Sequence, residues 1–325
     1  MGEEWRKGWH PEKIPAAPKA SRVLVVGAGP AGLEAALALG NRGYDVMLAE
    51  ATRDLGGRVL REAALPGMSE YIRVRDYREQ QLLSMPNVEI FRESRMGVDD
   101  VLAVSADHVV LATGATWRAD RFDGTRYVSV AAPGTSPEIL TADDIMDGKL
   151  PTGPTLVCDD DGYYMGGVIA EKIRAAGIDV TLCTESDSVS QWAAKTSERW
   201  RIRTHLMGLG GQLELAQTLS LFDGKIATLT CAYTGVEKQL PFTSVVMVSQ
   251  RKPKDQLWHD LTAHAGGDRA ALPFTLKRIA DCEAPAIIAA AVYAGHRYAR
   301  ELDADVPPLK HDRVDGDLPP LSTGA

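Results

Sequence analysis

Apolar and polar positions along the chain fall into blocks with recognisable periods. From Ser21 the segment RVLVVGAGPAGLEAALALGNRGYDVMLAE runs as an apolar stretch, a glycine-rich turn, an alanine-rich stretch of helical spacing that stops at Gly43, and a second apolar stretch. That order predicts strand, helix and strand within about 30 residues, a βαβ unit. A helix-like stretch with Tyr71, Tyr77 and Leu82 follows, then a short strand near Val88 to Phe91 and a further apolar run, HVVLATGA, at 108–115. Near Pro151 to Pro154 the pattern restarts: TLVCDDDGYYMGGVIAEKIRAAGIDVTLCTE again reads strand, turn, helix, glycine, strand. Short β-like runs over 217–249, broken by Asp223-Gly224 and Thr234-Gly235, predict a small antiparallel meander. FTLKRIADCEAPAIIAAAVYAGHRYARELD predicts a strand and then a long helix begun near Pro285.

These blocks predict two Rossmann-like, three-layer α/β domains that look like duplicates. The first comprises 22–150 together with 251–305; the second, 151–250, is inserted in it. Residues 1–21 read as an extended arm anchored by Trp5 and Trp9, and 306–325, with four prolines, as a loosely ordered tail. His10 and His296 read as structural rather than acid–base residues.

A chain of 325 residues with 45% hydrophobic and 25% charged positions is expected to be globular, with two domains. No apolar stretch approaches the roughly 18 residues of a transmembrane helix. The opening MGEEWRKGWHPEK lacks the apolar core of a secretory signal, so a cytoplasmic location away from membranes is expected. A net charge of −8 without a basic run argues against nucleic acid as a partner. Cys158, Cys183, Cys231 and Cys282 are far apart, form no C-x-x-C, and read as small buried residues rather than cluster or zinc ligands.

Chemistry concentrates at Gly27-Ala28-Gly29-Pro30-Ala31-Gly32, a G-x-G-x-x-G directly between strand and helix. The first glycine permits the turn, the second admits a pyrophosphate to the backbone, and the third lets helix and strand pack closely. Glu50, at the end of the next strand, is placed to accept from ribose hydroxyls and disfavours a 2′-phosphate; the alternative is a solvated strand-end carboxylate. Gly57 and Arg58, in Leu55-Gly56-Gly57-Arg58, read as a second contact to the pyrophosphate. Thr113 and Gly114, in an ATG that closes a strand, and Asp281, at the expected start of a helix, favour FAD-type over NAD-type geometry. The alternatives are a strand-end hydroxyl capping a turn and a helix N-cap. In the second unit the equivalent turn is Asp159-Asp160-Asp161-Gly162-Tyr163-Tyr164-Met165-Gly166. Its carboxylates repel a pyrophosphate and its tyrosines fill the approach, so no NAD(P) is expected there; the triplet itself reads as a solvated acidic turn rather than a cation site.

The motifs GEEWRKGWHPEK, VGAGPAGLEAA, LGGRV, AALPGMSEY, RDYREQQL, VVLATGA, LTADDIMDGK, DDDGYYMGGVIAEKI and DCEAPAIIAAAVYAGHR together resemble the C-terminal portion of the trimethylamine dehydrogenase and 2,4-dienoyl-CoA reductase family. The resemblance runs from Gly2 to about Asp303. It implies a disulfide-reductase-like FAD/NAD(P)-binding fold and, at the first site, ADP (as in the amine dehydrogenases) or FAD (as in the reductases). Carried over to this chain are Gly27, Gly29, Gly32, Glu50, Gly57, Arg58, Thr113 and Asp281. The family's FMN-bearing TIM barrel and iron–sulfur segment align before residue 1. Both are therefore expected outside this chain, as a partner domain or subunit. Ala280 stands where relatives usually have glycine, and 199–240 is shorter than in larger relatives.

Overall fold

The structure is a computed structural model that describes residues 9, 10, 13–120 and 129–303; the expected anchor Trp5 and the tail 306–325 lie outside the described residues. The first unit is β1 (Arg22–Val26), α1 (Pro30–Arg42) and β2 (Asp45–Ala49). It continues through α2 (Arg58–Ala63), α3 (Arg73–Leu83), β3 (Val88–Phe91), α4 (Val98–Ala103) and β4 (His108–Leu111). The chain leaves by β5 (Ala115–Trp117) for β6 (Glu138–Thr141), α5 (Ala142–Met146), β7 (Thr155–Asp159), α6 (Met165–Ala175), β8 (Val180–Thr184), α7 (Glu198–Gly208) and β9 (Gln212–Leu215). Strands β10 (Gln217–Phe222), β11 (Ile226–Cys231) and β12 (Glu237–Pro241) precede β13 (Ser244–Val248). It returns by β14 (Arg251–Pro253) to α8 (Gln256–His264), β15 (Thr275–Arg278) and α9 (Ile288–Glu301).

Two five-stranded sheets result, ordered β15-β4-β1-β2-β3 and β6-β13-β7-β8-β9. Every pairing within them is parallel, and the two orders correspond strand for strand, as duplication predicts. In the first sheet Val23 and Val25 pack with α1 and α9, while Leu24 and Val26 pack with Val101 of α4 and Leu261 of α8. Burial on both faces explains why β1 is apolar throughout instead of alternating. Helix α1 is alanine-rich because it is wedged between this sheet and α9. A Cβ at Gly295 of α9 would lie 2.2 Å from the Ala31 carbonyl oxygen. The antiparallel ribbon β5–β14, with Arg251 opposite Trp117 and Pro253 opposite Ala115, is where the chain crosses between lobes in both directions.

Several boundaries differ from the sequence reading. Only β10, β11 and β12 form the antiparallel meander; Ser244–Val248 instead enters the second parallel sheet beside β7. All five of its residues are buried, the mark of a strand covered on both faces. Glu138–Thr141 also belongs to the second sheet, ahead of the expected boundary at 151. Helix α9 starts at Ile288 rather than near Pro285, since Asp281 Oδ1 takes the Ala286 N–H (3.0 Å) and holds the intervening loop outside the helix.

In the arm, the Arg300 guanidinium stacks 5.4 Å from the Trp9 ring and donates to the His10 carbonyl. His296 Nδ1 lies 2.9 Å from Glu34, a carboxylate shared with Arg78 (2.7 Å). Cys158, Cys183 and Cys282 are buried free thiols, whereas Cys231 is only half-buried.

Candidate functional site

Of the candidate residues, all but Gly32 line one cleft of about 990 Å3 between the lobes. Gly27 has φ 100° and a Cβ there would lie 2.6 Å from the Ala112 carbonyl oxygen, so the turn requires glycine. A Cβ on Gly32 would lie 1.8 Å from the Gly27 carbonyl oxygen, so this residue serves helix–strand packing and stays out of the cleft wall. Gly29 is different: nothing lies within 4 Å of its Cβ position, which opens into the cleft. A Cβ on Gly57 would come 3.1 Å from Gly29 Cα, so the two glycines oppose each other across a notch of bare backbone.

Helix α1 begins beside that notch with Pro30 at its start, no side-chain cap and no acidic residue in its first turn. Its first N–H groups, Ala31 among them, have no partner within the helix, and the positive end of the helix dipole faces the same space. A phosphate or pyrophosphate supplies what this end lacks. The residues therefore fit a nucleotide diphosphate without needing a lysine.

Glu50 is buried at the end of β2 rather than solvated. Its Oε2 accepts from the Ala28 N–H (2.8 Å), while Oε1 accepts from the N–H (3.0 Å) and hydroxyl (2.8 Å) of Thr52. The carboxylate thus pins the glycine turn and keeps acceptor capacity for a ribose hydroxyl. Thr113 donates to the Lys254 carbonyl (2.6 Å) and sits 3.0 Å from Cys282 Sγ, so its hydroxyl ties the strand end to the returning chain; Gly114, at φ 78°, makes the turn.

Asp281 lies on a short 3-10 turn, not on a helix start, and is 6% exposed. Its Oδ2 accepts from Arg58 (3.1 Å) and Arg251 (2.8 Å), and both guanidiniums also donate to the Ala286 carbonyl. Burial pushes the Asp281 carboxyl up, opposed by Arg58. Arg251 and the cross-lobe pairs of Arg61 with Asp143 and Asp147 were not legible in the sequence, because each joins residues far apart in the chain. Ala280 takes φ 53°, a left-handed conformation in which its Cβ is strained.

Residues 21–153 match the family model described as pyridine nucleotide-disulphide oxidoreductase. Dimethylamine dehydrogenase of Hyphomicrobium sp. (strain x) is 34% identical over 94% of this chain. Among solved structures, histamine dehydrogenase from Rhizobium sp. 4-9 superposes with a TM-score of 0.87 at 46% identity over 95% of this chain. This chain belongs with the C-terminal part of the trimethylamine dehydrogenase family. The 6-hydroxypseudooxynicotine amine oxidase from Pseudomonas geniculata N1 gives the same TM-score, 0.87, at 36% identity over 93% of this chain. The match covers 45% of dimethylamine dehydrogenase, 48% of the histamine dehydrogenase chain and 45% of the amine oxidase chain, so this chain spans about half the length of these relatives. Its fold is that of the FAD/NAD(P)-binding, disulfide-reductase-like oxidoreductase domains.

Within this trimethylamine dehydrogenase-type fold, the second lobe's turn is filled by its own side chains. Asp159 is 1% exposed, so the expectation of a solvated acidic turn is wrong for it. Its Oδ1 accepts from the Gly162 N–H (2.9 Å), and a Cβ on Gly166, in the first turn of α6, would lie 2.3 Å from its Cγ. Trp192 covers Gly162, its Cδ1 3.1 Å from a Cβ built there. Burial and the neighbouring Asp161 push the Asp159 carboxyl well up, and burial pushes Asp161 up to about 6. The expected tyrosine block takes another form: Tyr164 is buried with its hydroxyl donating to Glu62 of the first lobe, and Tyr163 stacks at 4.7 Å on its ring. Among the described residues, no group of three or more His, Cys, Asp or Glu is arranged to hold a metal ion.

Proposed function

We propose that this chain is a nucleotide-binding domain or subunit of an iron–sulfur flavoprotein amine dehydrogenase. It binds ADP, or FAD by its ADP half, and supports an FMN/[4Fe–4S] barrel part carried by another domain or chain. Gly27, Gly29, Pro30, Ala31, Gly57 and Arg58 surround the phosphates, Glu50 meets the ribose, and Thr113, Gly114 and Asp281 border whatever follows the second phosphate. The observation that carries this reading is the open notch between Gly29 and Gly57 beside an uncapped helix start. Its counterpart in the second lobe is closed by Asp159 and Trp192, which supports the expectation of no NAD(P) there. ADP is favoured because Asp281, the acid expected at the ribityl or pyrophosphate region of an FAD, already accepts from Ala286, Arg58 and Arg251. Heating the chain with ADP, FAD and NADH in turn tests the reading. A ligand at 100 times its Kd adds about 2.7 kcal/mol of stability, and a chain that gains from neither ADP nor FAD overturns it.

A second reading, a free-standing FAD oxidoreductase relaying electrons from a partner, is favoured by one observation. The cleft continues past Gly57 to Thr113, Gly114 and Lys254, beyond what the ADP half needs. Purified protein that is yellow and releases FAD supports this reading; colourless protein that releases ADP supports the first. Among the described residues no helix is long and apolar enough to cross a membrane, and a cytoplasmic setting is part of the same proposal.

A further inference from the structure

Helix α2 carries both Arg58 and Glu62, one turn apart, and both are held in place from outside the helix. Arg58 reaches the cleft wall with its Nη1 on Asp281 (3.1 Å), its Nη2 on the Ala286 carbonyl (3.3 Å) and its Nε 3.3 Å from Glu62 Oε1. Glu62 is 2% exposed, and its other oxygen accepts from the Tyr164 hydroxyl. Tyr164 belongs to the second lobe, at the turn closed by Asp159, and its own ring is clamped by Tyr163 (4.7 Å) and Tyr71 (5.3 Å). A continuous buried line therefore runs from the closed turn of one lobe to a guanidinium in the cleft of the other.

We propose that Tyr164 is a positioning residue for the nucleotide site, acting through Glu62 to fix the Arg58 guanidinium against the phosphates. The inference rests on the nucleotide-binding reading above and deepens it. An isolated carboxylate at this depth is costly, and it stays ionised only while enough donors face it. Burial pushes the Glu62 carboxyl up on balance, helped by the nearby Asp281, while Arg58, the Tyr164 hydroxyl and Arg61 oppose it. Asp161 also faces this group and is itself held by Arg58. Removing the phenolic hydroxyl takes away one of the opposing donors: Glu62 takes up a proton more readily, its pull on Arg58 Nε falls, and the guanidinium is left on Asp281 and Ala286. A donor fixed on three sides loses little freedom when a phosphate arrives; one fixed on two loses more.

The test is calorimetric titration of the full chain with ADP and with AMP, for the wild type, Tyr164→Phe, Glu62→Gln and, as a control, Tyr163→Phe. Tyr164→Phe and Glu62→Gln are expected to weaken ADP about tenfold, the loss of one buried ion-pair contact on the guanidinium, while AMP binding is unchanged. Tyr163→Phe is expected to bind both as the wild type does. In Tyr164→Phe the ADP affinity should also increase as rising pH ionises Glu62, a dependence that Glu62→Gln lacks. Glu62→Gln keeps an acceptor for Tyr164, so it tests the idea even where Tyr164→Phe unfolds. An ADP-to-AMP affinity ratio unchanged in both variants, or an equal loss for both ligands, overturns the positioning role. A wild-type chain that binds neither ADP nor FAD overturns the nucleotide-binding reading instead.

Discussion

The residues between β1 and α1 and those between β7 and α6 occupy the same place in two sheets of the same order, and they have opposite characters. Three residues, 27–29, join Val26 to Pro30, whereas five, 160–164, join Asp159 to Met165. The short connection is built of Gly-Ala-Gly and leaves the helix start bare; at the longer one the Asp159 carboxyl group, from the end of β7, and the Trp192 indole, from beyond β8, occupy the equivalent space. An acceptor already attached to the chain has an effective concentration that a dissolved nucleotide cannot match. What separates a nucleotide site from a structural lobe is therefore who fills the helix start, not the sheet topology.

The largest expected effect comes from erasing the tight packing that makes the open turn. Gly32→Ala puts a methyl 1.8 Å from the Gly27 carbonyl oxygen and should cost about 3 kcal/mol or more, read as a lower urea midpoint. Gly29→Val sharpens the comparison from the other side, because the Cβ position there is clear of protein atoms. Stability should hold within about 0.5 kcal/mol while ADP affinity falls at least about 100-fold by titration. A variant that still binds ADP would place the phosphates elsewhere.

Asp159→Asn addresses the closed turn. Burial holds Asp159 above the ordinary carboxylate range and Asp161 at about 6, so the folded chain binds more protons than the unfolded one up to those values. Stability attributable to these groups should then fall as pH rises from about 4 through 6 and beyond. The asparagine variant should gain about 1 kcal/mol at neutral pH and show a shallower slope in denaturation curves taken across that range. The smallest effect is expected at the edge of the open cleft. Ala280→Gly removes the strain of φ 53° and should raise stability by about 0.5 kcal/mol after the entropic cost of glycine.

How much of this was legible depended on range. The glycine turn, its helix and Glu50 lie within one βαβ unit, where local spacing dictates geometry, and Gly27, Gly29, Pro30 and Glu50 line the same cleft. Ser244–Val248 was grouped with its sequence neighbours, although its unbroken apolar run marks a doubly covered strand. Helix α7 was unseen because only Ile202 and Leu206 among its eleven residues are buried, too few to set a period. The Arg58–Asp281–Arg251 cluster and the Tyr164–Glu62 contact join segments with no shared local pattern, so no spacing rule reaches them.

The insertion also sets an order of assembly. Every strand of the second parallel sheet falls within 138–248, an uninterrupted run of chain, whereas β4 of the first sheet waits for β15 at 275–278, and α1 for Gly295 of α9. On a ribosome the later-written lobe can therefore finish first. The nucleotide lobe, begun earlier, stays open along one edge and one helix face until α9 emerges. A chain truncated within α9 loses the first lobe's cover while keeping the whole of the second sheet, so damage near residue 295 lands on the far older part of the nascent chain.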